Sequence, residues 1–381
     1  MKRMAWILAA AVVLGSLPLR VGAATLAEAG KSAVLMDVTT GTVLYENNSH
    51  EPLAPASVTK VMTMLLIMEA VDSGKIALTD TVTASENAAA KGGSQIYLKA
   101  GETMTVSDML KSIAVSSAND CACAMAEHIA GSEAAFVEAM NQRSRELGMR
   151  DTHFVNCTGL DDDDTAKQHR TSAYDIALMS RELLKNHPLI KKYTTIWMDT
   201  VRNGAFGLSN TNKLIRFYPG ATGLKTGFTS GAGYCLSASA QREGMELIAV
   251  VMGAKTSKER NAACKELLDY GFANFAVISP ELSEVPGVPV KLGKQETVNA
   301  ALGEATGLLI DKSQKSAVTT EVTLEERVTA PVTRGQQIGT LSIKSGEQTL
   351  RQIPLIAAEG VERLTTGELF VKVLGKAAMA K

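Results

Sequence analysis

The sequence has almost no excess of charge: 39 Lys and Arg stand against 40 Asp and Glu in 381 residues, a formal net charge of −1. Nothing in that balance draws a polyanion, so nucleic acid is not an expected partner. Cysteine is sparse and poorly spaced for a cross-linking or zinc role. Cys121, Cys123, Cys157, Cys235 and Cys264 are odd in number and contain no Cys-x-x-Cys pair, which argues against a disulfide framework and against a zinc site. Cys121 and Cys123 fall two apart in a helical pattern and do not share a face, so buried or unpaired thiols are the expectation for most of the five. After the N-terminus no apolar run reaches the roughly 20 residues a spanning helix needs. Dense charge occurs once, at Asp161-Asp162-Asp163-Asp164. A calcium loop would alternate its ligands and carry a glycine at the turn, so this run reads as a solvated acidic loop and no metal is expected.

What is present fits an exported globular protein. The length allows two domains with sizeable cores, and 45% apolar with 21% charged residues is ordinary for such a chain. Lys2 and Arg3 precede an apolar run from Met4 to Leu17, then Pro18 and the small residues Val21-Gly22-Ala23-Ala24. That is the pattern of a secretory signal peptide, residues 1–24, cleaved near Ala23 or Ala24.

Further on, Ala33–Asp37 and Thr42–Glu46 flank Thr39-Thr40-Gly41 and read as a β-hairpin. A helix is expected to begin at Ser57, carry the apolar run Val61–Met68 and stop at Gly74, with residues 79–104 as irregular chain. A helical block follows, with helices near 106, over 119–130, 132–147 and 173–186; Ser107 or Asp108 is the expected cap of the first. Strands take over at 224–228, 234–240 and 246–252, and a helix over 257–275 closes the region. Strands, an inserted helical block, strands again and a closing helix are layered most simply as one sheet built from both ends. Together they give an α+β fold over residues 25–278. A proline-bearing linker from Ser279 to Pro289 leads to a small all-β domain over about 287–360. In the tail, 364–381, Glu368, Lys372 and Lys376 share one face, while Leu369, Phe370, Val373, Leu374, Ala377 and Ala380 cover the other. This amphipathic helix suits a membrane surface; the alternative is a terminal helix packed on its own domain.

The chemistry gathers in three short motifs. Ser57-Val58-Thr59-Lys60 places a hydroxyl and an amine at i and i+3, on one helix face. Alone, that is an N-cap serine and a solvated lysine. Downstream come Ser117-Ala118-Asn119 and Lys225-Thr226-Gly227, and the three in this order resemble the S-x-x-K, S-D-N and K-T-G signature of class A β-lactamases and penicillin-binding proteins, with Ala118 at the middle of the second motif. The residue types suit acyl transfer. Lys60, its pKa lowered by burial, can serve as base to the Ser57 nucleophile. Ser117 can relay a proton to the leaving amine, since a hydroxyl both donates and accepts. Asn119 can orient lysine or substrate. Lys225 and Thr226 offer a charge and a hydroxyl to a substrate carboxylate, and Gly227 keeps the strand edge open to a peptide. The backbone N–H groups of Ser57 and Phe228 are the candidate oxyanion donors.

The chain resembles the low-molecular-weight penicillin-binding proteins that are D-alanyl-D-alanine carboxypeptidases. The likeness rests on Pro55–Thr63, Ser117–Asp120, His169–Asp175, and Tyr218-Pro219-Gly220 running into Gly223–Gly227, and extends from signal to tail. It implies a penicillin-binding/β-lactamase-like catalytic domain, a β-rich second domain and an amphipathic anchor. The implied reaction removes the last D-alanine of a peptidoglycan stem pentapeptide through a Ser57 acyl-enzyme, with β-lactams as inhibitors and no cofactor. It also implies that Arg260 helps bind the terminal carboxylate. Phe228 stands where some relatives carry a polar residue, tolerable if only its N–H matters. His169 reads as structural rather than as a base. Three rivals stand beside this reading: an endopeptidase on crosslinked peptidoglycan, a β-lactamase using Glu182 and Asn186 at class A spacing, and a non-catalytic wall-binding protein.

Overall fold

The computed structural model describes residues 26–161, 164–279, 281–282, 285–303 and 307–379; the expected signal peptide and Asp162–Asp163 of the acidic run lie outside them. Strands β1 (Ser32–Asp37) and β2 (Val43–Asn47) form the expected hairpin, with Gly41 at φ +76° in the turn. A 3-10 turn, Ala56–Thr59, then runs straight into α1 (Lys60–Asp72). The α-helix therefore begins three residues later than the sequence pattern places it. The tighter first turn eclipses residues i and i+3, which sets Lys60 over Ser57.

The segment expected to be irregular holds β3 (Thr81–Thr83), α2 (Glu86–Ala89) and β4 (Thr103–Thr105), the two strands pairing across Val82 and Met104. Strands this short show no readable alternation; a partner twenty residues away defines them. Helix α3 (Val106–Ser116) is capped by Thr105, whose Oγ1 accepts from the Asp108 N–H at 3.1 Å, not by Ser107 or Asp108. Next come α4 (Asn119–Ala130), α5 (Glu133–Glu146) and α6 (Ala173–Asn186), the last two starting at Ser132 and Ser172 caps. Helix α7 (Lys191–Thr194), the hairpin β5 (Met198–Val201) and β6 (Phe206–Ser209), and α8 (Leu214–Phe217) had no clear sequence signal. Strands β7 (Ala221–Thr229), β8 (Gly233–Arg242) and β9 (Met245–Ala254), then α9 (Ser257–Asn274) and β10 (Phe275–Ile278), complete this part.

The principal sheet has the order β2-β1-β9-β8-β7, one sheet assembled from both ends of the region. The two-residue period of a strand sorts its side chains between two cores. Val34 and Met36 of β1 with Ile248, Val250 and Met252 of β9 face the helical block. Ala33, Leu35, Leu247, Ala249 and Val251 face the other way, onto Ala263, Cys264, Leu267, Leu268 and Phe272 of α9. Both faces are covered, which is why β9 reads as an unbroken apolar run. All five cysteines are free and buried in these cores, so Cys121 and Cys123 are not exposed thiols.

The helical block is tied by one guanidinium. Arg143 on α5 reaches Glu69 of α1 and Glu182 of α6, each at 2.7 Å, and Glu146 at 3.3 Å. Glu182 lies inside a regular helix as the partner of this arginine, and Asn186 donates to it at 2.9 Å. The Glu182/Asn186 spacing is thus helix geometry.

Past the linker the chain is strand-rich: β11 (Val288–Lys291), β12 (Thr297–Val298), β13 (Ala300–Leu302), β14 (Leu308–Asp311), β15 (Val318–Leu324), β16 (Val328–Thr329), β17 (Gln337–Ser345) and β18 (Gln348–Ala357). They form the sheets β12-β11-β16 and β13-β18-β17-β15. Strand β14 instead pairs with β10, Phe275 opposite Asp311 through Ile278 opposite Leu308, so a ladder ties the β-rich part to the end of α9. The tail helix α10 (Thr366–Met379) sets Lys372 against Glu296 at 3.3 Å and leaves Phe370, Val371 and Leu374 exposed. Among the described residues no helix is long and apolar enough to cross a membrane.

Removing the Arg143 guanidinium would leave Glu69 and Glu182 facing each other, with carboxylate oxygens within 4.8 Å. Arg143→Ala is expected to lower unfolding stability by about 1–3 kcal/mol, because a half-buried network loses its central cation. Urea unfolding of the two proteins measures it.

Candidate active site

The site grows from the 3-10 turn. Lys60 Nζ lies 3.0 Å from Ser57 Oγ and donates to the Thr158 carbonyl at 2.7 Å. Its side chain is fully buried. Desolvation, only partly opposed by nearby acidic groups, brings its pKa from 10.5 down to about 7. Both partners of the amine are neutral, so neither holds the proton on. A lysine in that condition is a base near neutral pH.

Two glycines let other segments close on this turn. A Cβ on Gly227 would stand 2.7 Å from the Pro55 carbonyl and 3.1 Å from the Ser57 N. Gly227 is therefore needed for β7 to pack against the nucleophile turn, where the sequence suggested a free strand edge. Gly159, at φ +79°, would carry a Cβ only 1.8 Å from the Ala56 carbonyl. Its loop is wound around Asn156, whose Oδ1 accepts from the N–H groups of Thr158 and Gly159 at 3.1 and 2.7 Å. That winding aims the Thr158 carbonyl at Lys60.

Ser117 ends α3 in the left-handed conformation, φ +64°, and is buried. The amine is bonded to Ser57 and Thr158 rather than to Ser117, which leaves this hydroxyl for a bound substrate. Asn119 opens α4; its N–H donates to the Ser94 carbonyl and its Nδ2 to the Gly92 carbonyl, both at 2.7 Å. Its Oδ1 is buried with no hydrogen-bond partner among the described residues, an acceptor suited to an incoming N–H. The next residue, Asp120, accepts from the N–H groups of Ile96 and Leu98 at 3.1 and 2.9 Å, so the 92–98 loop is fastened to the start of α4.

On the opposite wall β7 supplies the third motif. Lys225 is almost wholly buried and its Nζ donates to the Thr226 carbonyl at 2.9 Å. Burial, with the neighbouring charges of Lys60 and Arg260, holds its pKa well below the usual lysine value. An arriving carboxylate would reverse that shift by pairing with the ammonium form. Thr226 Oγ1 donates to Thr211 Oγ1 at 2.7 Å. Arg260 on α9 is buried behind β8, with Nη1 3.4 Å from the Cys235 carbonyl and its guanidinium over Tyr234 at 5.8 Å. Its charge is one of those that lower the pKa of Lys225. Phe228 is half exposed and stacks on Tyr234, ring centroids 4.2 Å apart, which leaves its backbone to serve any ligand.

Sequence reasoning missed Thr158, Thr211 and the Asn156–Gly159 loop. Thr158 acts through its carbonyl, which leaves no residue-type signal, and Thr211 lies in a polar turn, Asn210-Thr211-Asn212, like many others. The pattern Asn156-Cys157-Thr158-Gly159, a turn former followed three residues later by glycine, was the one available hint.

Residues 20–256 match the family model described as D-alanyl-D-alanine carboxypeptidase, and residues 283–363 match the penicillin-binding protein 5 C-terminal domain. The chain belongs to the D-alanyl-D-alanine carboxypeptidase family. It is 47% identical over 344 residues to D-alanyl-D-alanine carboxypeptidase DacF of Bacillus subtilis, covering 89% of this chain and 87% of that one. To DacC of Escherichia coli it is 36% identical, covering 86% and 83%. The crystal structure of penicillin binding protein 5 from Haemophilus influenzae superposes with a TM-score of 0.73 at 31% identity, over 90% of this chain and all of that one. The expected penicillin-binding-protein fold with its β-rich second part is therefore the observed one.

If Lys60 is the base, the rate of Ser57 acylation should follow its deprotonation. The neutral amine is the active form, so the rate rises with pH through about 7 and levels off above it. Lys60→Arg keeps a cation that cannot give up its proton and is expected to lose about 100- to 10,000-fold. Stopped-flow acylation by a chromogenic β-lactam between pH 5.5 and 9 measures both.

Proposed function

We propose that the chain acts as a D-alanyl-D-alanine carboxypeptidase through a Ser57 acyl-enzyme on peptidoglycan stem pentapeptides. The observation that carries this reading is the Ser57 Oγ to Lys60 Nζ contact of 3.0 Å, with the amine brought to a pKa of about 7. Ser57 Oγ attacks the carbonyl between the two terminal D-alanines while its proton passes to Lys60. The N–H groups of Ser57 and Phe228 hold the oxyanion. Lys60 then passes that proton through the Ser117 hydroxyl, which gives one and takes one, to the departing D-alanine amine as the C–N bond breaks. Water then gives a proton to Lys60 and attacks the ester, and that proton returns to Ser57 Oγ as the acyl C–O bond breaks. Lys225, Thr226 and the field of Arg260 receive the terminal carboxylate, while Gly227 allows the close wall and Asn119 Oδ1 accepts from the stem peptide.

A β-lactam presents a strained amide and a carboxylate at similar separation, so the same residues take it as a slow substrate. Penicillin-Binding Protein D2 of Listeria monocytogenes, whose ampicillin-bound structure covers 64% of this chain with a TM-score of 0.58 at 32% identity, supports that extension. Endopeptidase action is the second reading, favoured by a D-alanyl-D-alanine endopeptidase of Pseudomonas aeruginosa that is 33% identical over 55% of this chain. The long match to carboxypeptidases, which includes the β-rich part, favours release of free D-alanine.

Ser57→Ala should abolish D-alanine release from a defined pentapeptide and covalent labelling by penicillin, with the circular dichroism spectrum unchanged. Mass spectrometry of products from the pentapeptide and from a crosslinked dimer separates the two readings; retained D-alanine release in Ser57→Ala would refute the assignment.

The amphipathic tail belongs to the same proposal. Residues 1–24 are taken as an export signal, and α10 as the element that holds the enzyme at the outer face of the cell membrane. Phe370, Val371 and Leu374, all more than half exposed, give it an apolar face that no described residue covers. In flotation with phospholipid vesicles, the chain without its signal should rise with the lipid, and one ending at Arg363 should stay behind. Equal flotation of the two would place membrane contact elsewhere.

A further inference from the structure

Ala56, immediately before the nucleophile, is buried and has φ +48°. An alanine in the left-handed region is strained and persists only where its surroundings impose it. Three contacts do so here. Gly159 packs directly on the Ala56 carbonyl and Gly227 on the Pro55 carbonyl. The third is polar: Thr59 Oγ1 lies 2.8 Å from the Ala56 carbonyl oxygen and 2.8 Å from His169 Nε2.

The protons in this chain have one consistent arrangement. The Val155 N–H donates to His169 Nδ1 at 3.2 Å, so Nδ1 is unprotonated and, in the neutral ring, Nε2 carries the hydrogen. That hydrogen points at Thr59 Oγ1. The threonine has a single proton of its own, and its other neighbour, a carbonyl, can only accept. The Thr59 proton therefore goes to the Ala56 carbonyl. The ring stays neutral at working pH: burial, with the charges of His153 and Lys60, lowers its pKa to about 4.

We propose that His169 is a positioning residue for the nucleophile: through Thr59 it fixes the left-handed Ala56 turn that presents Ser57 to Lys60. His169 touches neither Ser57 nor a substrate position in these contacts, and a ring already bonded at both nitrogens is no general base. Its edge also packs on Phe154, centroids 5.6 Å apart, which fixes the ring plane. The dependence runs along one line, from the Val155 N–H through the imidazole and the Thr59 hydroxyl to the Ala56 carbonyl. This inference rests on Ser57 being the nucleophile.

The test uses the chain without its signal, with pentapeptide kinetics and stopped-flow acylation by a chromogenic β-lactam. Thr59→Val, which is nearly isosteric, and His169→Leu are each expected to lower kcat and the acylation rate at least 10-fold while KM changes less than 3-fold. Their double variant should be no slower than the worse single one, because both cut the same line. Thr59→Ser, which restores a hydroxyl, should recover most of the rate. Wild-type acylation in folded Thr59→Val would overturn the proposal, as would a double variant whose loss is the product of the two singles. Where His169→Leu fails to fold, Thr59→Val and Thr59→Ser decide alone. Ser57→Ala distinguishes the two failures: if it still takes the covalent label, the nucleophile assignment falls; if it does not and Thr59→Val is unimpaired, only this inference falls.

Discussion

The constraint on which the site depends is the burial of one lysine amine between two neutral oxygens. Lys60 is held by Ser57 Oγ and the Thr158 carbonyl, and among the described residues no carboxylate is bonded to it. A fall in pKa from 10.5 to about 7 corresponds to roughly 5 kcal/mol of differential stabilisation of the neutral amine over the ammonium. The folded state accepts that cost because the surrounding cores fix the amine in place. Between those two pKa values the unfolded chain keeps a proton the folded one has lost, so this group makes stability rise with pH across that interval. Base strength near neutrality and an unfavourable buried charge at lower pH have the same cause.

Close packing of backbone on backbone delivers the geometry. The turn Pro55–Lys60 sits between β7 and the Asn156–Gly159 loop, and each meets it at a glycine whose Cβ would overlap a turn carbonyl. The sheet provides the rigid wall and the helical block provides the floor, with α1, α3 and α4 contributing Lys60, Ser117 and Asn119 from their ends. Element ends are where backbone groups lack internal partners, which explains why three motifs distant in sequence converge there. On the opposite wall Lys225 of β7 is buried with Arg260 behind β8, and burial first, then the charges of Lys60 and Arg260, hold the Lys225 pKa below the usual lysine value.

Much of the fold was legible. The apolar runs of β9, the Ser132 and Ser172 caps and the alternation in β17 and β18 mark elements whose local signal and tertiary environment agree. Short elements defined by their pairing rather than by their own pattern were not: β3 with β4, the hairpin β5 and β6, and β14, which reads as a strand of the β-rich part yet pairs with β10. The first turn of α1 was also misread, because a regular helix and a 3-10 turn give the same apolar pattern while differing in the backbone angle of Ala56.

For the site the division follows the kind of group involved. Side chains with distinctive chemistry announce themselves, so Ser57, Lys60, Ser117, Asn119, Lys225 and Thr226 could be chosen from residue type, order and spacing alone. The sequence by itself determined which groups could do acyl transfer. Only the tertiary structure decided that Lys60 is buried without a counter-ion, that Gly227 and Gly159 serve close approach, and that His169 is already bonded at both ring nitrogens. The physical reason is that a pKa and a backbone contact belong to the environment rather than to the residue. That environment is built by segments a hundred residues away, through carbonyls and N–H groups that every amino acid carries alike.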